Sequence, residues 1–515
     1  MGKTTQELLA RSYLIESSLA ELLNKEPFQD ISLAQALLML NPPKIITKDF
    51  FMENKLNIIN NLQIFNLEKE LAEKIIAFFN IKALEEEKKE DECEILDKKK
   101  KFNVRIVEAY EPEARKISVE DFVKYFRNRY SVIRNFLQEH ELEGLSNIGK
   151  ISSQRRNISV IGMVANKRIT KNKNIIIELE DLTGRISAVI NHEKKELFEE
   201  AKNIVLDEVI GISGMGSQEI IFVNKVVFPD IAAKEKKKIN LEHYAAFTSD
   251  THVGSNKFLE ENFLRFIDWL NGKIGSLKQK EIARKVKYFF IVGDLVDGVG
   301  VYPGQEKELV IGDIKEQYAK LAELLKKIRK DVAIIICPGG KHDAVRHIEP
   351  QPKLDREIAS PLYELENVII TTNPSTVNIG DSKTSEGLNV LMYHGDSYDY
   401  YMFDIDFLRM NNAKLRPEMI MKFLLKKRHL APTHTSTPYF PGDEDFLIIK
   451  TIPDVFVSAH IHKSSISNYN NILVVSCSCW QSLTSYQEKF GHEPDPCKIP
   501  ILNMKTGKVS MLDFS

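Results

Sequence analysis

Cysteine is scarce in this chain, with five in 515 residues, at positions 93, 337, 477, 479 and 497. An odd, scattered set builds no disulfide framework and fits a reducing compartment. Cys477 and Cys479 share one apolar run, Val474-Val475-Ser476-Cys477-Ser478-Cys479-Trp480. No second pair completes a zinc set, so buried strand positions are favoured over thiolate ligands. Also missing is any run approaching the roughly 18 apolar residues that a bilayer span needs. The start, Met1-Gly2-Lys3-Thr4-Thr5-Gln6, has no apolar signal core and no Ser or Thr where a myristoylation signal wants one. The expectation is a cytoplasmic protein without membrane attachment. Net charge is lacking too: 71 basic residues face 73 acidic ones. No global field draws a polyanion, and any nucleic-acid contact falls to local patches.

What is present exceeds one hydrophobic core, since 515 residues suggest two or three domains. Residues 1–83 read as a small helical unit, with apolar residues at three-and-four spacing from Leu8 to Leu23 and again from Leu67 to Phe79. Residues 84–104 carry the charge run Glu85 to Glu92 and the lysines 98 to 101, too polar for a core, and read as a linker. Residues 105–150 read as a helical connector. Its helix opens on a capping pattern at Ser118-Val119-Glu120-Asp121 and carries an apolar stripe of Val119, Phe122, Val123, Phe126, Ile133 and Leu137.

Between 151 and 240 the period changes to five short β-like runs with one helix near Glu193 to Ala201, the pattern of a Greek-key β-barrel of the OB type. Lys167, Arg168, Lys171 and Lys173 lie between its first two strands. They are candidate single-strand contacts, and an ordinary polar hairpin is the other reading. From 241 to 515 apolar runs alternate with helical segments, which gives a layered α/β architecture.

Five of those apolar runs end in polar residues, where α/β folds place their ligands. In order the endings are Asp250-Thr251-His252, Asp294-Leu295-Val296-Asp297, His342-Asp343, His394-Gly395-Asp396 and His460-Ile461-His462. Residues two apart on an extended chain face one side, so Asp250 with His252, and His460 with His462, can each reach one centre. Imidazole with carboxylate suits zinc, manganese or iron, and an aspartate between two ions can bridge them. Singly each pair is weak. Five in order, each after an apolar run, leave little room for coincidence.

This order resembles the calcineurin-like metallophosphoesterase superfamily, with its D-x-H, G-D-x-x-D, G-N-H-D, lone His and G-H-x-H motifs. The resemblance implies that Asp250, His252, Asp294 and His462 hold a first metal, and that Asp294, His394 and His460 hold a second. It makes His342 the catalytic non-ligand histidine, with Asp297 and Asp343 orienting the set. Ala459 replaces the usual Gly of the last motif. Lys341 stands where the third motif has a ligating Asn. Either the lysine turns away and water fills the gap, or the second site is weak or lost.

A narrower resemblance, to small subunits of archaeal family D DNA polymerases, runs from about Val104 to the C-terminus. It rests on 119–130, on Glu349-Pro350-Gln351-Pro352, on Arg428-His429-Leu430-Ala431-Pro432, and on Trp480-Gln481 with Gly491-His492-Glu493-Pro494. It implies a proofreading 3′→5′ exonuclease acting on single-stranded or frayed DNA 3′ ends by metal-activated water attack. It further implies a large catalytic polymerase subunit as partner and two divalent ions, manganese first, with zinc, iron or magnesium as alternatives. A scaffold subunit with a decayed nuclease, or a free-standing phosphodiesterase or repair nuclease, are the competing readings. Pro338-Gly339-Gly340-Lys341 is no P-loop, because the leading Gly is absent.

Overall fold

The structure is a computed structural model and describes residues 2–24, 31–40, 42–47, 50, 51, 54, 58, 101–111, 116–233, 235–237, 239–240, 242–382, 385–489 and 491–515. The chain divides into two compact units, Met1–Asp97 and Lys98–Ser515. In the first, helices α1 (Lys3–Ala10), α2 (Ser17–Leu23) and α3 (Ile31–Leu38) enclose a core that includes Leu8, Leu19, Leu23, Leu33 and Leu37. The all-helical expectation needs amending, since β1 (Leu14–Ile15) and β2 (Ile45–Ile46) pair in parallel. The apolar series 67–79 and the charge run 85–92 lie outside the described residues.

The second unit opens on a strand where a helical connector was expected. β3 (Val104–Ala109) pairs antiparallel with β13 (Ser375–Ser382) at the edge of a sheet. Next comes α4 (Val119–Gln138), whose first turn is closed by Ser118 N–H donating to Asp121 Oδ2 at 2.7 Å. The expected stripe is only partly right. Ile133 and Leu137 are buried, but Val119 is 76% and Val123 44% exposed. The helix instead turns Tyr125 and Arg129, one turn apart, into the interior. Arg129 is fully buried and bonds Asp445, and a buried guanidinium needs that partner more than these two apolar side chains need cover.

Strands β4 (Arg156–Ile169), β5 (Ile175–Glu180), β6 (Arg185–Ile190), β7 (Val209–Gly216) and β8 (Ile220–Val227) close into a barrel of order β4-β5-β6-β8-β7. α5 (Lys195–Lys202) lies between β6 and β7 in the chain. β5 alternates buried and half-buried residues, as a strand with one face inside a barrel must.

The rest forms two six-stranded sheets. The first runs β12 (Val368–Ile370), β11 (Ala333–Cys337), β10 (Val286–Val292), β9 (Tyr244–Thr248), β18 (Lys498–Asn503), β19 (Val509–Asp513). The second runs β16 (Ser465–Tyr469), β17 (Ile472–Ser476), β15 (Val455–Ser458), β14 (Ser385–Tyr393), β13, β3. Phe247, Phe290 and Ile335 of the first sheet pack with Val377, Val390, Val457 and Val475 of the second in one core. The outer face of the first sheet is covered by α6 (Glu260–Leu270), α7 (Leu277–Lys285) and α8 (Ile314–Leu325). That of the second is covered by α9 (Tyr398–Asp404) and α10 (Glu418–Lys427). Strands covered on both faces read as unbroken apolar runs, which is why Tyr288 to Val292 and Ala333 to Cys337 show no alternation.

Barrel and sheets meet through a buried polar junction. Arg129 Nε donates to Asp445 Oδ2 at 2.7 Å, Tyr125 Oη to Asp445 Oδ1 at 2.8 Å, and Arg129 Nη1 to the Pro432 carbonyl at 2.6 Å. Lys427 Nζ of α10 meets Glu208 Oε2 at 2.6 Å, beside the barrel. Segments 119–130 and 428–432, which carried part of the narrower resemblance, are therefore the two sides of one contact. Among the described residues no helix is long and apolar enough to cross a membrane.

Candidate metal centre

β9, β10 and β11 are parallel neighbours in one sheet, and β14 and β15 are parallel neighbours in the other. Their C-terminal ends fall at the same edge of the two-sheet core. Asp250 and His252 follow β9, Asp294 and Asp297 follow β10, and His342 and Asp343 follow β11. His394 follows β14, and His460 with His462 follows β15. Five of these residues have left-handed backbones: Asp250 (φ 48°), His252 (47°), Asp294 (48°), His460 (72°) and His462 (57°). Each such conformation costs a non-glycine residue on the order of 1 kcal/mol or more. It turns the chain sharply at the strand end, so that side chains which would pass outward gather over the edge. Gly339 makes room among them, because a Cβ there would fall 2.5 Å from Asp294 Oδ1.

The side chains group into three triplets whose nitrogen and oxygen atoms lie within 4.8 Å of one another: Asp250/His252/His462, His252/Asp294/His342 and Asp294/His394/His460. Asp250 Oδ1 lies 3.2 Å from His462 Nε2, and His252 Nε2 lies 3.3 Å from His462 Nε2. Asp294 Oδ2 is 3.7 Å from His252 Nε2 and 3.4 Å from His394 Nε2. Although burial alone would raise it, the imidazoles of His394 and His342 hold the Asp294 carboxyl far below the usual carboxylate range. Asp294 Oδ1 is buried and makes no hydrogen bond, and Asp250 Oδ1 and His394 Nε2 face only other members of the cluster, His462 Nε2 and Asp294 Oδ2. A buried acceptor without a donor is costly, and one set among such atoms fits a cation. The donor set, three carboxylate–imidazole triplets sharing Asp294 and His252, fits divalent ions of the zinc, manganese or iron type.

The outward nitrogens face protein oxygens, which favours one orientation of each ring. His252 Nδ1 lies 3.2 Å from Asp297 Oδ1, His394 Nδ1 3.1 Å from the Val292 carbonyl, and His342 Nδ1 2.7 Å from the Asp297 carbonyl. His460 Nε2 lies 3.4 Å from Asp399 Oδ2. Asp297 is itself held by side-chain amides, each at 2.9 Å, from Gln305 Nε2 to Oδ2 and from Gln481 Nε2 to Oδ1. Sequence reasoning missed Gln305, Asp399 and this role of Gln481; only the Trp480-Gln481 pair had been noted. Asp343 works as a clamp. Its Oδ1 accepts from Leu295 N–H at 2.8 Å and its Oδ2 from Gly339 N–H at 2.7 Å, tying the turn after β10 to the turn after β11. Burial, then the charge of Asp294, pushes it up to about 7.

An open cleft over these residues is walled by Val301, Tyr302, Lys341, Thr484, His492 and Pro494. His492, read from sequence as an ordinary loop histidine, belongs to that wall. His429, read as structural, lies far from it in the junction, 2.9 Å from Asp445. Cys477 and Cys479 are fully buried.

The basic residues of the barrel separate. Lys167 is no free phosphate contact, because its ammonium donates to the Lys202 carbonyl and, at 2.7 Å, to the Ile204 carbonyl. Burial lowers it to about 8. Arg168, Lys171 and Lys173 are exposed around the hairpin tip.

The family models that fall on the two-sheet unit and the barrel give a class, the B subunits of DNA polymerases. The family of DNA polymerase alpha/epsilon B subunits matches residues 246–467, and the OB-fold nucleic acid binding domain matches residues 158–216. Within that class the chain belongs to the archaeal DNA polymerase II small-subunit family. It is 38% identical over 399 residues to the DNA polymerase II small subunit of Methanothermobacter thermautotrophicus, covering 77% of this chain and 80% of that one. The Pyrococcus furiosus protein of the same name is 36% identical over 429 residues, covering 80% and 68%. The Archaeoglobus fulgidus one is 38% identical over 399 residues, covering 77% and 78%.

Proposed function

We propose that this chain is the proofreading subunit of a heteromeric archaeal DNA polymerase, working beside a large catalytic subunit. It removes nucleotides from single-stranded or frayed 3′ ends at a calcineurin-like centre that takes two divalent ions, manganese foremost. The observation that carries this reading is Asp294, shared by two ligand triplets and buried with an unpartnered oxygen. Asp250, His252, Asp294 and His462 would hold one ion, and Asp294, His394 and His460 the other. Bound there, the ions supply Lewis-acid polarisation of the phosphate and an activated water.

The chain's own residues do the rest. Asp297, gripped by Gln305 and Gln481, keeps His252 in one ring orientation. The carbonyl of Asp297 holds His342 Nδ1–H and leaves Nε2 facing the cleft, so that the imidazolium form of His342 would give its Nε2 proton to the departing 3′ oxygen and return to the Nδ1–H neutral form. The cleft is open, as a polymeric substrate requires. A second reading, a scaffold subunit whose nuclease has decayed, is favoured by Lys341 alone.

The test uses the full chain with its large subunit, Mn²⁺ and a labelled strand with a mispaired 3′ end. Nucleoside monophosphates should be released, and Asp294→Asn should slow release by about a thousandfold or more, equivalent to roughly 4 kcal/mol of barrier. Absence of 3′ trimming would sink the proofreading reading in favour of the scaffold.

A further inference from the structure

Lys341 breaks the third motif, and the structure separates two consequences of that break. Gly340 is the residue that faces inward. A Cβ built on it would lie 3.1 Å from Gln351 Nε2 and 3.5 Å from Asp396 Oδ2, a pair that is itself bonded at 2.7 Å. The turn folds back on itself, with Asp343 N–H and Val345 N–H donating to the Gly340 carbonyl at 3.1 and 3.0 Å. Lys341 is left exposed at its outer corner, beside His342 on the wall of the cleft.

Among the described residues lining that cleft, Lys341 is the one lysine or arginine in a set of carboxylates, imidazoles and amides. Among the described residues Lys341 makes no ion pair: of the carboxylates lining the cleft, Asp297 bonds Gln305 and Gln481, Asp399 faces His460, and Asp294 is buried between His252 and His394. An unpaired ammonium on the wall of this cleft would be repelled by ions held at Asp294 and drawn to whatever anion they bind.

We propose that Lys341 is a substrate-phosphate contact of this cleft, gripping a non-bridging oxygen of a phosphate adjoining the one that reacts. The loop has exchanged a metal ligand for a point-charge anchor of the kind lysine provides. The inference rests on the phosphodiester reading above, and it makes Lys341 a residue of substrate affinity, with no part in holding the ions.

The probe is a 5′-phosphorylated thymidine trinucleotide with phosphorothioate linkages, titrated calorimetrically into the Mn²⁺-loaded full chain. Lys341→Gln should weaken binding about tenfold and lower the salt slope by about one, and Lys341→Arg should stay within about twofold of the unaltered chain. On a cleavable strand KM should rise for Lys341→Gln while kcat changes little. Its Mn²⁺ stoichiometry should match that of the unaltered chain. Unchanged trinucleotide affinity in Lys341→Gln, or failure of the unaltered chain to bind the probe, overturns the proposal. So does a gain of bound Mn²⁺ in Lys341→Gln, since that result makes the lysine a lesion in the second metal site. Lysine-dependent binding without any 3′ trimming upholds the contact and sinks the proofreading reading instead.

Discussion

Two buried clusters in this molecule pair carboxylates with imidazoles, one at the strand ends and one at the junction of barrel and sheets, and they are finished differently. At the junction every oxygen of Asp445 has a donor. Oδ1 takes Tyr125 Oη at 2.8 Å and Leu447 N–H at 3.0 Å, and Oδ2 takes Arg129 Nε at 2.7 Å and faces His429 Nε2 at 2.9 Å. At the strand ends Asp294 Oδ1 goes without, and Asp250 Oδ1 faces only the His462 imidazole at 3.2 Å. The histidines respond in opposite senses. Burial, then the charge of Arg129, lowers His429 to about 4, whereas the charge of Asp294 overcomes burial and lifts His394 well above its ordinary value. A cluster closed on itself is structure. A cluster with a buried carboxylate oxygen to spare is the one we propose takes a cation.

The largest test of that contrast removes the carboxylate from the closed cluster. Asp445→Ala leaves the Arg129 guanidinium buried without its charge partner, and such losses cost about 3–5 kcal/mol. Urea denaturation in EDTA should show that loss, while Asp294→Asn, which removes charge from a site already short of donors, should cost far less. Equal losses at the two sites would erase the distinction.

The open cluster was the more legible of the two from sequence, and the reason is local. Its residues sit at the ends of continuous apolar strands, and four of them come in two pairs two apart, so one strand carries one recognisable signal. Asp250, His252, Asp294, His342, His394, His460 and His462 could all be named that way, and the barrel's five strands followed from a change of period. The closed cluster has no such signal. Tyr125 and Arg129 lie more than 300 positions from Asp445, and nothing in Asp445's own neighbourhood marks it. The rotation of α4 was missed for the same cause, because apolar spacing cannot register one arginine bonding to a distant loop. Asp399 and Gln305 escaped too, each meeting the centre through a contact that no spacing encodes. Lys167 was misjudged because a lysine in a polar hairpin looks free until the carbonyls of 202 and 204 are placed beside it.

A smaller effect should appear on acidification. His429 titrates at about 4 in the fold against an ordinary 6.5. Between those values the unfolded chain binds the extra proton, so stability falls as pH drops from about 6.5 towards 4, by on the order of 3 kcal/mol. Asp445 is held below the usual carboxylate range, so its contribution is intact above that range and is lost only at lower pH. Stability curves for the unaltered chain and His429→Gln should therefore converge as the pH falls through this window, read by urea denaturation in EDTA at pH 7 and 4.5. Parallel curves would mean that His429 does not titrate as its burial beside Arg129 requires.

The smallest effect separates the clusters most cleanly, because it acts on one of them alone. An ion that binds the folded chain and not the unfolded one stabilises it by RT ln(1 + [L]/Kd), about 2.7 kcal/mol when Mn²⁺ stands at a hundred times Kd. The unaltered chain should show that rise in thermal or urea denaturation. Asp445→Ala should show it undiminished from a lower baseline, since the junction holds no ligand of the centre. Asp294→Asn should lose most of it, because Asp294 belongs to two of the three triplets and its loss leaves only Asp250, His252 and His462 as an intact set. If Asp294→Asn is stabilised by Mn²⁺ as much as the unaltered chain, the ion binds elsewhere. The unpartnered Asp294 oxygen at the strand ends would then need a different explanation.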